Sequence, residues 1–312
     1  MKRERIYLYD TTLRDGQQTQ GVNFTVDDKI RISNALDELG IDYVEGGWPG
    51  ANPTDSDFFN TNPQLKATFT AFGMTKRSGK SAENDEVLSA VLNANTPGVC
   101  LVGKAHDFHV IKALGISLEE NLSNISDSVR HIVSKGREAL FDCEHFFDGY
   151  RENPNYALKA AKVAYEAGAR WIVLCDTNGG ALPSQVFSAT KAVIDSGIPG
   201  DRIGIHTHND TEHAIANSLA AIDAGARQVQ GTLNGLGERC GNANLVTLIP
   251  TLLLKDPYSS LYETGVDLNK LSSLTSISRT LDDILNRVPD KWAAYVGSSA
   301  FAHKAGLHAS AI

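Results

Sequence analysis

Two histidines separated by one residue are the feature of this sequence that most directly suggests chemistry. His206 and His208 lie in the segment IHTHNDT, residues 205–211. The residues before them are typical of a β-strand, and strand side chains alternate faces, so both imidazoles should project from the same face. Imidazole is a good ligand for divalent metal ions. On spacing alone, the pair is equally compatible with a metal site and with two histidines that only form hydrogen bonds.

A second polar cluster follows the first predicted strand. The segment YDTTLRDGQQTQG, residues 9–21, places Asp10, Arg14 and Asp15 in one turn. Loops that directly follow strands often carry functional residues. An isolated Arg–Asp pair would be a surface ion pair contributing roughly 0–1 kcal/mol. In this loop, however, Asp15 could supply the anionic oxygen that a site made only of histidines lacks.

Composition indicates a globular protein and excludes several other classes. The chain has 312 residues, of which 42% are hydrophobic and 21% charged, and its net charge of −8 argues against a nucleic-acid surface. It has no run of about 18 apolar residues, as a membrane span would need, and its N-terminus lacks the apolar core of a signal peptide. The four scattered cysteines are typical of reduced residues, so we expect a cytoplasmic protein.

Strand and helix patterns alternate along the chain. Helices that have one apolar face are predicted at 26–39, 156–167, 183–194, 214–224 and 245–254. Three of them end in a glycine that leads at once into a strand: Gly40, Gly168 and Gly225. Strands are predicted at 6–10, 42–46, 67–72, 98–103, 138–144, 170–176, 202–208 and 227–233.

Eight short apolar strands joined by helices favour an α/β fold of the (β/α)8 TIM barrel type. A doubly wound open sheet is the main rival, but no Gly-x-Gly-x-x-Gly follows the first strand. Barrel active sites lie at the carboxyl ends of the strands. At those ends the sequence places Arg14, Asp15, Glu45, Lys104, Glu144, Asp176, Thr177, His206, His208, Asn234, Glu238 and Asn242.

The turn after the eighth predicted strand, GTLNGLGERCGNANL at 231–245, is rich in glycine and asparagine. Glycine permits close backbone approach to a ligand, but a glycine-rich loop alone is a weak signal. Asn242 precedes a predicted helix. Spacing alone favours Asn242 as the N-cap of this helix over a metal ligand, because asparagine is common at that position.

Three motifs together resemble those of the metal-dependent, pyruvate-carboxylase-like barrels: DTTLRDG at 10–16, HTHND at 206–210 and GLGERCGNANL at 235–245. Within that group the chain resembles the isopropylmalate, homocitrate and citramalate synthase family. The segments EGGWPGANPTD at 45–55 and FAHKAGLHASA at 301–311 are most similar to its citramalate branch. The resemblance covers nearly the whole chain. It implies an acyltransferase that condenses acetyl-CoA with a 2-oxo acid, expected to be pyruvate, in the synthesis of isoleucine.

The resemblance also implies a set of site residues. A divalent ion (Mg, Mn or Zn) would be held by Asp15, His206, His208 and Asn242, which overturns the assignment of Asn242 as only a cap. Such an ion acts as a Lewis acid and template for a 2-oxo acid. The remaining site residues are Arg14, which would stabilise the oxyanion, a catalytic Glu144, and Thr177, which would bind the keto-acid carboxylate.

The base that deprotonates acetyl-CoA is implied to be a histidine from a partner subunit. It matches His308, with His303 as the weaker candidate, so we expect a homodimer. Family members continue into further domains. We therefore expect a catalytic barrel at 1–255 and the start of a helical linker subdomain, helical around 268–287, at 256–312. If the chain stops there, His308 has no downstream anchor and activity should be impaired.

Two positions depart from the family pattern. Gln17 stands where the isopropylmalate synthases carry glutamate, and Asp142 stands where they carry a small hydroxyl residue, so Asp142 is a candidate substrate-binding residue. The close alternatives are homocitrate or isopropylmalate synthesis. More distant ones are a metal-dependent hydrolase, which usually has its His-x-His pair on the first strand, and a non-catalytic barrel fragment.

Overall fold

The eight predicted strands close into a parallel barrel in the computed structural model, which describes residues 3–304. Each strand is hydrogen-bonded to the strands before and after it in the chain, and the last pairs with the first. The predicted fold class is confirmed. The barrel strands are β2 (Tyr7–Asp10), β3 (Tyr43–Glu45), β4 (Thr68–Met74), β5 (Gly98–Lys104), β6 (Glu138–Glu144), β7 (Trp171–Asp176), β8 (Ile203–Thr207) and β9 (Gln228–Gly231).

Helices surround the barrel and connect its strands. The three predicted glycine stops are confirmed, since Gly40, Gly168 and Gly225 all have positive φ angles, of 100°, 103° and 126°. The helices are α1 (Val26–Leu39), α2 (Pro53–Asn60), α3 (Glu86–Asn93), α4 (Asp107–His109), α5 (Leu118–Ser134), α6 (Phe146–Glu152), α7 (Pro154–Glu166), α8 (Pro183–Asp195), α9 (Ala214–Ala224), α10 (Leu245–Leu254), α11 (Tyr258–Leu261) and α12 (Leu274–Ile284). All of those in residues 3–304 are too short or too polar to cross a bilayer.

The floor of the barrel is filled by aromatic side chains. Trp171 packs edge-on against Tyr7, with ring centroids 5.2 Å apart, and its indole nitrogen donates a hydrogen bond of 3.0 Å to the hydroxyl of Tyr43. These residues stand at the amino ends of their strands. Because that end is closed by packed rings, the carboxyl ends of the strands are where the barrel can open to a ligand.

The segment after residue 255 packs on the barrel. Strand β10 (Tyr262–Glu263) pairs in parallel with β1 (Glu4–Arg5), a short sheet that the sequence pattern did not indicate. Helix α12 lies within the predicted helical stretch, and Leu274 and Leu281 are buried. The amide of Asn234, in the loop after β9, donates to the carbonyl of Ser278 at 3.0 Å. Asn234 therefore anchors α12 instead of facing the mouth of the barrel.

Candidate active site

Asp15, His206 and His208 converge at the carboxyl end of the barrel; we call these three residues the donor cluster. His206 lies in β8, His208 follows it directly, and Asp15 lies in the loop after β2. The Nε2 atom of His206 is 3.1 Å from Oδ2 of Asp15 and 3.3 Å from Nε2 of His208. The Nε2 atom of His208 is 3.9 Å from Oδ2 of Asp15. All three side chains are buried, and their atoms are close enough to share one metal ion.

A glutamine fixes the orientation of His206. The amide nitrogen of Gln230, on β9, donates to Oδ1 of Asp142 at 3.1 Å, so its oxygen faces Nδ1 of His206 at 2.8 Å. That oxygen can only accept, so Nδ1 of His206 must be the protonated donor. When the His206 ring is neutral, the lone pair of Nε2 is directed at the donor cluster. This is the tautomer that a metal-binding histidine needs.

Burial and neighbouring charges shift the pKa values of the donor cluster in different directions. Burial opposes ionisation of Asp15, but the Arg14 guanidinium and then His206 hold its pKa well below the usual range. Burial also opposes the charged form of His206, but its hydrogen bond and attraction to Asp15 outweigh this and raise the pKa. Burial, and then repulsion by His206, lower the pKa of His208 to about 4. The donor cluster therefore combines a carboxylate with two imidazoles whose pKa values are shifted in opposite directions, so protons compete with an ion more strongly at His206 than at His208.

Asn242 lies against the donor cluster. Its Nδ2 atom is 2.6 Å from Oδ2 of Asp15 and 3.3 Å from Nε2 of His206, while its buried Oδ1 has no hydrogen-bond partner within residues 3–304. A half-turn of the amide would direct the oxygen at Asp15 and His206, as a fourth metal ligand requires. The N-cap of α10 is instead Asn244, whose side chain accepts from the backbone N–H of Val246 at 2.9 Å. The assignment of Asn242 as that cap, favoured by spacing alone, is wrong.

Arg14 is held rigidly beside the donor cluster. Its Nε donates to Glu45 at 2.6 Å, and another guanidinium nitrogen is 3.1 Å from Asp15. The guanidinium lies over the ring of Phe72, with its central carbon 4.0 Å from the ring centroid. Glu45 is fully buried and also accepts from the hydroxyl of Tyr9 at 2.6 Å. Glu45 therefore orients Arg14. The position of Glu45 at the end of a strand did not predict this ion pair.

Glu144, Thr177 and Asp142 lie on the same side of the mouth. Glu144 forms an ion pair with Lys104 on the neighbouring strand. The Thr177 hydroxyl accepts from the backbone N–H of His145 at 2.8 Å, so its hydrogen remains able to donate. Burial raises the pKa of Asp142 to about 6. Glu144, Thr177 and Asp142 all line a cavity of about 210 Å³, together with Arg14 and the donor cluster.

The wall of this cavity opposite β8 is apolar. It is formed by Trp48, Phe72 and Val102, which follow or lie on β3, β4 and β5. Trp48 packs edge-on against Phe72, with ring centroids 5.4 Å apart. The cavity therefore combines two arginines and the Thr177 hydroxyl with several carboxylates and a small apolar surface, a mixture that suits a small polar ligand with a short apolar part.

Not every residue singled out from the sequence reaches this site. The carboxylate of Asp176 accepts from the backbone N–H of Ala181 at 3.2 Å and so orders the following loop. The Gln17 side chain donates to Asp55 instead of lining the cavity. His303 is exposed, and His308 lies outside the described residues.

The residues that contribute to the site without having been predicted from the sequence include Gln230 and Arg239 as well as the apolar wall. Gln230 contacts both His206 and Asp142, and Arg239 lines the cavity. Alternating glutamines in the buried strand segment QVQ, residues 228–230, were the available signal for Gln230, because strands of a parallel barrel are normally apolar on both faces.

The fold and the site together describe a closed parallel barrel with a buried carboxylate and two imidazoles at its mouth. Comparison with known proteins identifies the family of barrels to which it belongs. The chain belongs to the HMGL-like family, whose model matches residues 5–277. It is similar to the (R)-citramalate synthase of Synechocystis sp., with 50% identity over 100% of this chain and 58% of that protein. The relationship predicted from the motifs is confirmed, and this chain spans little more than half the length of that relative.

Two further comparisons are more distant. The 2-isopropylmalate synthase of Sulfolobus acidocaldarius is 34% identical over 98% of this chain and 75% of that protein. The structure of hydroxymethylglutaryl-CoA lyase from Pseudomonas aeruginosa matches with a TM-score of 0.75 at 19% identity, covering 92% of this chain and 95% of that one. At that identity the structural match shows the shared barrel fold alone.

Proposed function

We propose that this chain is the catalytic barrel of an acyltransferase that condenses acetyl-CoA with pyruvate and releases (R)-citramalate and CoA. The observation that carries the proposal is the convergence of the donor cluster and Arg14 on a cavity of about 210 Å³. Identity of 50% with an (R)-citramalate synthase, against 34% with a 2-isopropylmalate synthase, favours pyruvate over a larger 2-oxo acid.

The donor cluster and Asn242 would hold the divalent ion. Their carboxylate, imidazole and amide groups suit Mg, Mn or Zn, and the unpartnered oxygen of Asn242 supports its inclusion. When bound, the ion would act as a Lewis acid on the keto oxygen of the 2-oxo acid. The low pKa of Asp15 keeps its carboxylate charged and ready to bind the cation over the whole neutral range.

The residues around the donor cluster would bind and polarise the 2-oxo acid. The fixed guanidinium of Arg14 would stabilise negative charge that develops on the keto oxygen as the carbonyl carbon is attacked. The free hydroxyl hydrogen of Thr177 would bind the keto-acid carboxylate. Trp48, Phe72 and Val102 would face the methyl group of pyruvate, and Asp142 would border the same pocket.

The second half of the reaction needs a base for the methyl group of acetyl-CoA. We assign this role to His308 of a partner subunit in a homodimer, with Glu144 at the cavity as the catalytic carboxylate. The methyl group would lose a proton to the base, and its carbon would form a bond with the keto carbon while the π bond of the keto group breaks. The keto oxygen then takes up a proton and becomes the hydroxyl group of the product. Water then cleaves the thioester and CoA leaves as a thiol.

This assignment places the protein in isoleucine synthesis. The four cysteines are unpaired, which suits a reducing compartment such as the cytoplasm.

A free-thiol assay of CoA release tests the proposal. The chain, supplied with Mn²⁺ and acetyl-CoA, is offered pyruvate, 2-oxoisovalerate and 2-oxoglutarate, and we expect the highest kcat/KM with pyruvate. His208→Ala is the inactive control. A preference for 2-oxoisovalerate or 2-oxoglutarate would change the assignment to isopropylmalate or homocitrate synthesis. Tight Mn²⁺ binding without CoA release from any of the three would favour a non-catalytic barrel.

A further inference from the structure

The guanidinium of Arg239 joins three loops at the mouth of the barrel. Its Nε donates to Oδ1 of Asp210 at 2.7 Å, and one of its terminal nitrogens donates to Oδ2 of Asp210 at 2.9 Å and to the carbonyl of Thr177 at 2.7 Å. Asp210 is two residues after His208, and Arg239 is three residues before Asn242. One side chain thus connects the loop after β9, in which Arg239 lies, with the loops after β7 and β8.

The backbone around this contact has an unusual conformation. Arg239 has a φ of 55°, in the left-handed region that costs free energy for a residue with a side chain. Gly179 has a φ of 62°, and a Cβ there would lie 2.4 Å from Oδ2 of Asp210. Asp210 can therefore receive Arg239 only because position 179 is glycine. The contact thus combines a strained arginine with a glycine position that leaves no room for a side chain.

The loop that Arg239 holds carries Asn242 to the donor cluster. It folds back onto the segment after β8, where the backbone N–H of Asn209 donates to the carbonyl of Gly241 at 2.8 Å. At Gly237 a Cβ would lie 1.8 Å from Oδ1 of Asn242, so the loop packs directly on that amide. A shift of this loop would move Asn242 away from Asp15 and His206.

A contribution to overall stability does not explain the contact. The side chains of Arg239 and Asp210 are 42% and 22% exposed, and ion pairs this exposed stabilise proteins little. Their geometry is nevertheless specific, because the planar fork of arginine matches both oxygens of the carboxylate and still reaches a backbone carbonyl. Lysine cannot form that arrangement.

We propose that Arg239 is a positioning residue that clamps the loops carrying Thr177, His208 and Asn242, and so sets the affinity of the site for both the metal ion and the 2-oxo acid. The inference rests on the proposed function, since it assumes that these residues bind those ligands. It adds a role for the arginine of GLGERCGN and the aspartate of HTHND, neither of which is a ligand in the proposal.

The test compares Arg239→Gln, Arg239→Lys and Asp210→Asn with a control, Arg151→Gln. Arg151 forms a similarly exposed ion pair with Asp148, at 3.0 Å, and its ion pairs with residues 3–304 all lie within α6. Asp148 also accepts from Asn178 in the loop after β7, and Arg151→Gln leaves that hydrogen bond in place. Titration calorimetry gives the Kd for Mn²⁺, the thiol assay gives the KM for pyruvate, and thermal unfolding of the metal-free chain gives the Tm.

We expect Arg239→Gln to weaken Mn²⁺ binding by about 10–100-fold, as loss of an orienting partner does, and to raise the KM for pyruvate. Arg239→Lys should recover only part of both losses. Asp210→Asn should behave like Arg239→Gln, and the double variant should be no worse than the poorer single variant. The Tm should change no more than in Arg151→Gln.

Three results would overturn the inference. Mn²⁺ and pyruvate affinities within twofold of wild type in Arg239→Gln would reduce Arg239 to a surface ion pair, with the proposed function intact. A fall in Tm well beyond that of Arg151→Gln, accompanying the loss of affinity, would make its role structural. Failure of the wild-type chain itself to bind Mn²⁺ would refute the metal site of the proposed function and this inference with it.

Discussion

Replacing Gln230 tests whether the orientation of His206 prepares the site for a metal ion. Gln230→Leu keeps the size of the side chain but removes the acceptor for Nδ1 of His206 and the donor to Asp142. Each buried group left without a partner costs about 1–3 kcal/mol. We expect Mn²⁺ affinity to fall by about 10–100-fold, or about 1.4–2.7 kcal/mol, because His206 can then rotate or change tautomer.

Gln230→Glu separates the two hydrogen bonds. The introduced carboxylate can still accept from Nδ1 of His206, so Mn²⁺ affinity should remain close to that of wild type. It lies, however, against the carboxyl group of Asp142, which already has a pKa of about 6 because of burial. Two buried carboxylates repel each other, so the free energy of unfolding of this variant should fall between pH 5.5 and pH 8 relative to wild type.

Gln228→Leu is the matched control for Gln230→Leu. Gln228 is fully buried on the same strand, two residues earlier, and its amide has no hydrogen-bond partner within residues 3–304. This variant should bind Mn²⁺ like wild type. Affinity is measured by calorimetry, and the tautomer of His206 by long-range ¹H–¹⁵N NMR of the imidazole. Unchanged affinity and tautomer in Gln230→Leu would refute the reasoning.

Three further predictions concern Arg14, the donor cluster and Asp10. Arg14→Lys should lower kcat for CoA release by about 10²–10³-fold with a smaller change in KM, and near-normal kcat would make Arg14 a structural residue. Mn²⁺ affinity, measured by calorimetry, should fall about tenfold per pH unit as the pH drops through the raised pKa of His206, because one proton then competes with the ion. A pH dependence that corresponds to no proton, or to two protons, would contradict this.

Burial raises the pKa of Asp10 from 3.8 to about 7. Ionising Asp10 is therefore harder in the folded chain than in the unfolded chain, so the free energy of unfolding falls as the pH rises through that range. Asp10→Asn should therefore gain about 2–3 kcal/mol more in free energy of unfolding at pH 8 than at pH 5, measured by urea titration. An equal effect at both pH values would contradict it.

Local patterns were sufficient to predict the barrel. Each barrel strand begins and ends within about two residues of its predicted bounds, because short apolar runs between amphipathic helices leave few alternatives. The convergence of Asp15, His206 and His208 could also be predicted, since the carboxyl ends of parallel strands meet at one edge. These inferences need only the order of the elements and the alternation of side chains along a strand.

Partner choice could not be predicted in the same way. Gln230 and Asp142 are 88 residues apart, and their contact spans the inside of the barrel between β9 and β6. Such a pairing depends on the stagger of strands that are not neighbours, which no local pattern specifies. The choice between Asn242 and Asn244 as the cap of α10 likewise depended on how the loop folds back onto β8, because both are asparagines close to the start of the helix.

The two arginines of the mouth show how burial assigns different tasks to one residue type. Arg14 is paired with Glu45, and their side chains are only 9% and 0% exposed, so solvent and salt hardly weaken its field at the cavity. Its charge is therefore suited to act on a bound anion. Arg239 is partly in water, where its charge is screened, but its planar fork still fixes the relative positions of three loops. Both positions need the planar guanidinium, which at Arg14 directs a buried charge at the cavity and at Arg239 fixes three loops. Lysine keeps the charge but lacks that geometry, so it should fail at both positions with different consequences.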